Sequence, residues 1–147
     1  MRKPIQIALY ICRGNNEKRE WLLLRRIPES GGFWQGVTGG VEDDETILAT
    51  ATRELKEETG FTGLKIIQLE YCRTFPVPDS MKYHYQPDVQ VLTEYAFCAE
   101  VLQDIDPVLD LREHTGFRWV SYETALELLH YPGNIEALKM CEELLRD

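Results

Sequence analysis

Three glutamates and an arginine fall within six consecutive residues, as Arg53, Glu54, Glu57 and Glu58, in a chain of 147. On a helix, spacings of three and four residues bring Glu54 beside both Glu57 and Glu58. Like charges at those spacings repel by a few tenths of a kcal/mol each, and Lys56 points elsewhere, so the cluster is more natural around a bound cation. Ligands that are all oxygen favour Mg²⁺ or Mn²⁺. A helix of roughly four turns is expected here. Asp43 or Asp44 can cap its start, worth about 1 kcal/mol, and Gly60 can end it in the left-handed conformation. Ile47, Leu48, Ala51 and Leu55 recur at helical spacing as its buried stripe, with Arg53, Glu54, Glu57 and Glu58 gathered away from that stripe. A lone Glu-rich run of this kind ordinarily marks a solvated face. The Gly39-Gly40 turn before it, a Glu45 able to bridge to Arg53 across two turns, and the terminal Gly60 weigh for a site instead.

Gly39, Glu45, Arg53-Glu54, Leu55, Glu57-Glu58, Gly60 and Phe61 together resemble a complete Nudix box. The resemblance implies hydrolysis of a diphosphate linkage with divalent metal held on the box helix. It implies Glu54 and Glu58 as metal ligands, and Glu57 as a sharer of a second ion or a holder of water. Arg53 would keep these catalytic glutamates in register. Beyond the box, Arg25-Arg26, the run Phe33 to Gly39, Thr93-Glu94, Phe97-Cys98, Glu113-His114 and Trp119 resemble the bacterial dihydroneopterin triphosphate diphosphatase branch of that family. That likeness implies Glu113 as a further metal-binding carboxylate, Arg25 as a phosphate contact, and Thr38 and Arg2 beside the substrate. One of Arg25 and Arg26 must point away, and Arg25 fits the branch better. The segments Ile27 to Gly32 and Asp79 to His84 depart from the branch.

Length and composition fit one domain, residues 1–147, able to bury about two thirds of its unfolded surface without disulfides or structural metal. A net charge of −9 argues against a broad nucleic-acid face, so no DNA partner is expected, and an acidic protein that handles phosphates needs a metal. Cys12, Cys72, Cys98 and Cys141 show no metal-ligand or redox spacing and read as buried free thiols in a reducing compartment. No apolar run reaches the length of a membrane span, and the start lacks the apolar core of a secretion signal, so the expected location is cytoplasmic.

Ile5 to Cys12 and Trp21 to Leu24 read as a β-hairpin, Leu64 to Phe75 and Val89 to Val101 as two long strands, and Phe117 to Val120 as a short one. Tyr122 to His130 and Asn134 to Leu145 read as helices broken by Pro132-Gly133, with Asn134 as a cap. The connection carrying Pro76, Pro78 and Pro87 is a candidate substrate-facing loop. Phe33 and Trp34 read as core packing, and His84, His114 and His130 as structural histidines. The expected architecture is an α/β/α sandwich with a central mixed β-sheet. The expected activity is metal-dependent hydrolysis of a small phosphorylated substrate, a nucleoside or pterin triphosphate, to the monophosphate and pyrophosphate. Hydrolysis of dinucleoside polyphosphates or 5′-triphosphate RNA, or a non-catalytic nucleotide sensor, are the alternatives.

Overall fold

Strand β1, Ile5–Arg13, is buried on both faces from Ile7 to Cys12, as its near-continuous apolar sequence requires. In the computed structural model, which describes residues 2–146, the other strands are assembled around it. β2 (Glu20–Arg26) returns antiparallel to it, pairing Leu22 with Ile11. β3 (Trp34–Gln35) continues along β2, and β4 (Val37–Gly40) pairs antiparallel with the first half of β1, Gln6 to Gly40 through Leu9 to Val37. β5 (Ile66–Pro76) lies antiparallel to β6 (Val91–Val101), which runs parallel to β1 along its whole length. β7 (His114–Ser121) pairs antiparallel with β2. The sheet is therefore mixed.

Helix α1 (Ile47–Thr59) covers one face, and α2 (Tyr122–Leu128) with α3 (Pro132–Leu145) covers the other. The two-residue period of a strand divides β1 and β2 between the two layers. Ile7, Leu9, Ile11, Leu22 and Leu24 pack under Ala51 and Leu55 of α1, whereas Ala8, Tyr10, Trp21 and Leu23 pack under Ala125, Ala137 and Leu138. This is the α/β/α sandwich expected from the order of elements. Among the described residues no helix is long and apolar enough to cross a membrane.

Several local expectations are corrected. α1 is capped by Thr46, whose Oγ1 accepts from the Ala49 N–H at 3.0 Å, while Asp44 adopts a left-handed φ of 70° in the preceding turn. Leu48 faces solvent, and Thr50 takes its place in the buried stripe. Asn134 does not cap α3, which begins at Pro132; it is buried, and its Oδ1 accepts from Arg73 Nη2 at 3.3 Å. Cys72 is exposed, unlike the other three free thiols. Trp34 is half-buried against the α2/α3 core, as expected, whereas Phe33 stacks on His130 at 5.2 Å. The Pro-containing connection holds a short 3-10 helix, Asp79–His84, and meets the box loop in an open concavity lined by Arg2, Glu42, Asp43, Tyr83 and His84.

Candidate active site

Arg53 ties the loop after β4 to the helix. Its Nε and Nη2 donate to the two oxygens of Glu45 at 2.7 and 2.9 Å, a bidentate pair between that loop and α1. Nη2 also donates to the Gly40 carbonyl at 3.1 Å, and Nη1 to Glu54 at 2.7 Å and Glu57 at 3.3 Å. The guanidinium, chiefly through its hydrogen bonds, holds the Glu45 carboxyl down to about 2. A carboxyl whose folded value is depressed stabilises the fold above its unfolded value, and that contribution is lost as pH falls from about 4.5 toward 2. Glu45→Gln should therefore lower stability at pH 7 by about 1 to 2 kcal/mol after allowance for solvent screening, and the difference from wild type should shrink below pH 3. Urea titrations at pH 7 and pH 3 measure both.

The helix face that carries Glu54 and Glu58 is turned toward the sheet, contrary to the expectation that all three glutamates gather away from the buried stripe. Only Glu57 is exposed. β4 passes so close to α1 that a Cβ on Gly39 would lie 2.3 Å from the Glu54 carboxyl carbon. The first glycine of the box is thus required by close approach of backbone to a carboxylate. Gly39→Ala should displace Glu54 and cut kcat by about tenfold or more, on the scale of a misplaced reacting group, with the helical content unchanged. Wild-type kcat alongside an unchanged circular dichroism spectrum would show that Glu54 tolerates the shift.

Glu58 is 1% exposed, and neither of its carboxyl oxygens has a hydrogen-bond partner. Desolvation first, then the adjacent Glu54 carboxyl and the charges of Glu54 and Glu113, hold its carboxyl well above the usual carboxylate range; Arg26 opposes the shift. Burial also raises Glu54. His114 is wholly buried beside them, with Nδ1 3.6 Å from Glu58 Oε1 and Nε2 3.2 Å from Gln35 Nε2. Burial, then the Arg26 charge, pulls its imidazole down to about 4, so it is neutral at pH 7. One ligand atom each from Glu58, Glu113 and His114 lie within 4.8 Å of one another. A buried carboxyl with no donor, next to a second carboxylate, is costly unless a cation compensates it. This oxygen-rich donor set can hold a divalent metal ion.

The structure thus brings Glu54, Glu58 and Glu113 together and keeps Glu57 at the rim on Arg53. It also brings in His114, expected above to be structural; its adjacency to Glu113 is the available signal. Gln35 carried none. The β2–β7 pairing shifts register between the two arginines, with Arg25 opposite Gly116 and the β7 residue Thr115 bulged before His114. Arg26 is paired with His114 across the strands, and its charge acts on Glu58 and His114. Arg25 is exposed and donates through Nε to the Gly32 carbonyl at 3.3 Å. Thr38 Oγ1 lies 3.5 Å from Gln35 Nε2, and the Arg2 side chain lies against Gly40.

The NUDIX domain family matches residues 2–141. The chain is similar to a dihydroneopterin triphosphate diphosphatase from Haemophilus influenzae, 35% identical over 93% of this chain and 87% of that protein. It is also 35% identical to an octanoyltransferase from Myxococcus xanthus over 90% of this chain, but it spans only 35% of that protein's length. Among solved structures, the E. coli dihydroneopterin triphosphate pyrophosphohydrolase superimposes with a TM-score of 0.80 at 28% identity, covering 94% of each chain. With the family match running through the box, the buried glutamates and β7, the chain belongs to the Nudix family.

Proposed function

We propose that the protein hydrolyses a nucleoside or pterin triphosphate to the monophosphate and pyrophosphate, with Mg²⁺ as the working ion and Mn²⁺ as a substitute. The observation that carries the metal reading is Glu58, a buried carboxyl without a donor, with a ligand atom of Glu113 close by. Glu54, Glu57, Glu58 and Glu113 are the residues that would hold the ions. When bound, Mg²⁺ would polarise the phosphoanhydride and lower the pKa of water at neutral pH. Arg53 holds Glu45, Glu54 and Glu57 in one geometry, contributing orientation. Arg26, whose charge already reaches Glu58, is better placed than Arg25 to pair with phosphate oxygens entering beside the carboxylates. Arg2 and Thr38 flank the same edge at β4. Arg25 on the far side of the bulge remains a candidate for a more distant part of the substrate.

Similarity to two proteins named for dihydroneopterin triphosphate supports the substrate class. The net charge of −9 favours a small substrate over a long nucleic acid, and three buried free thiols accord with a reducing cytoplasm. The test is a panel of dihydroneopterin triphosphate, purine nucleoside triphosphates, a dinucleoside tetraphosphate and a 5′-triphosphate RNA with Mg²⁺, products being identified by mass. Monophosphate and pyrophosphate from the pterin or purine triphosphates are expected. Orthophosphate as the first product, or preference for the dinucleotide or the RNA, would overturn this reading.

A further inference from the structure

His114 and Gln35 stand next to the carboxylates without being explained by them. The imidazole is sealed from solvent, and its Nδ1 is a buried polar atom with no hydrogen bond, aimed at Glu58 Oε1 at 3.6 Å. Its other nitrogen faces the amide nitrogen of Gln35 at 3.2 Å. An amide nitrogen only donates, so the contact is satisfied when His114 Nε2 offers a lone pair. In a neutral imidazole the single proton then sits on Nδ1, pointing at Glu58. The same amide nitrogen lies 3.5 Å from Thr38 Oγ1, whose hydroxyl can accept from it.

We propose that Gln35 and His114 are positioning residues: Gln35 fixes the proton of His114 on Nδ1, and His114 donates it to Glu58 Oε1, aiming the carboxylate at the metal. The gap of 3.6 Å exceeds a hydrogen bond by about half an ångström or more, a distance that a small rotation of either side chain would close. Glu58 then has one oxygen held by the protein and one free for the ion, instead of two buried oxygens with no partner. Carboxylates that ligate metals are commonly held in this way, and losing the outer partner costs about 10- to 100-fold in metal affinity. The donor comes from β7 and its anchor from β3, so the relay also couples the β2–β7 edge of the sheet to the metal-binding helix.

This inference rests on the metal site proposed above, and its test reads metal binding and tautomer separately from turnover. Nitrogen-15 spectra of histidine-labelled wild type at neutral pH should show His114 protonated on Nδ1 and bare on Nε2, with and without Mg²⁺. The opposite tautomer would overturn the proposal. Mn²⁺ titrations followed by electron paramagnetic resonance should give an affinity about tenfold weaker in His114→Leu. His114→Asn, whose amide N–H can occupy the Nδ1 position, should recover to within about threefold of wild type on the same scale. Gln35→Met should leave a mixture of tautomers and an intermediate affinity. Wild-type affinity in His114→Leu, or no recovery in His114→Asn, would show a packing role only. A nitrogen coupling to Mn²⁺ from a directly bound imidazole would make His114 a ligand and overturn the donor role. If His114→Leu does not fold, the tautomer and His114→Asn decide. Wild type that binds no Mn²⁺ would remove the metal site itself. Failure on every triphosphate, with the Mn²⁺ affinities as expected, would remove only the substrate assignment.

Discussion

Glu58→Gln is expected to lose at least about a hundredfold in turnover while making the metal-free protein more stable at pH 8. The loss follows from removing the charge of the one box carboxylate that is buried without a donor and lies within ligand distance of Glu113. The gain follows from the same burial. A carboxyl whose folded value is raised gives its full contribution below the unfolded value, near pH 4.5, and loses it as pH rises toward the higher folded value. At pH 8 wild type has either an unfavourable buried charge or a proton that the unfolded chain has released. The glutamine has neither, and its amide N–H can donate to the adjacent Glu54 carboxyl. An increase of about 1 to 3 kcal/mol at pH 8 in the presence of chelator is expected, shrinking toward pH 5. Added Mg²⁺ should raise the melting temperature of wild type more than that of the variant, because a cation bound only by the folded state stabilises it. Equal stability at both pH values would mean that Glu58 is not desolvated in solution, and equal Mg²⁺ shifts would place the metal elsewhere.

Arg53→Lys, which keeps the charge, is expected to cost nearly as much activity as Arg53→Ala. One guanidinium fork contacts Glu45 with two nitrogens and Glu54, Glu57 and the Gly40 carbonyl with the same set of donors. An ammonium offers a point charge on a flexible stem and cannot hold a bidentate pair together with three further acceptors. Arg53→Ala should destabilise by about 2 to 4 kcal/mol, because it leaves partly buried carboxylates facing one another across the loop and helix. Arg53→Lys should recover about half of that stability and little of kcat, which should stay down tenfold or more because Glu54 is no longer held. Urea unfolding and steady-state kinetics on both variants separate the two effects. Recovery of kcat by lysine in step with stability would show that Arg53 acts through charge alone.

Much of the box could be read directly because its interactions lie within one element and its flanking turn. Glu45 lies in the loop just ahead of α1, eight residues before Arg53, and Gly60 ends α1 at φ 78°, so the ion pair and the helix end follow from residues close in sequence. The cap did not, because Asp44 is used in a left-handed turn and Thr46 takes the capping role two residues later. The buried stripe was read from apolar side chains, which placed Leu48 inside and the glutamates outside. In the folded protein the closeness of Gly39 leaves room for the Glu54 carboxylate between α1 and β4, and Glu58 is buried beside His114 of β7.

The residues that complete the site belong to other elements, and their meeting depends on strand pairing. Arg25 and Arg26 are equivalent as sequence; the bulge at their junction in the β2–β7 pairing sets which of them sits opposite His114. His114 and Glu113 reach Glu58 only because β7 returns along β2 from a distance of nearly ninety residues, and Gln35 reaches His114 only because β3 pairs with the same strand. The sequence by itself determined the helix, its charge pattern and the class of chemistry, since these depend on spacings of three, four and eight residues. Which carboxylates are dehydrated, which arginine is near them and which histidine touches them were decided by the tertiary structure, because desolvation and charge proximity arise where separate elements pack together.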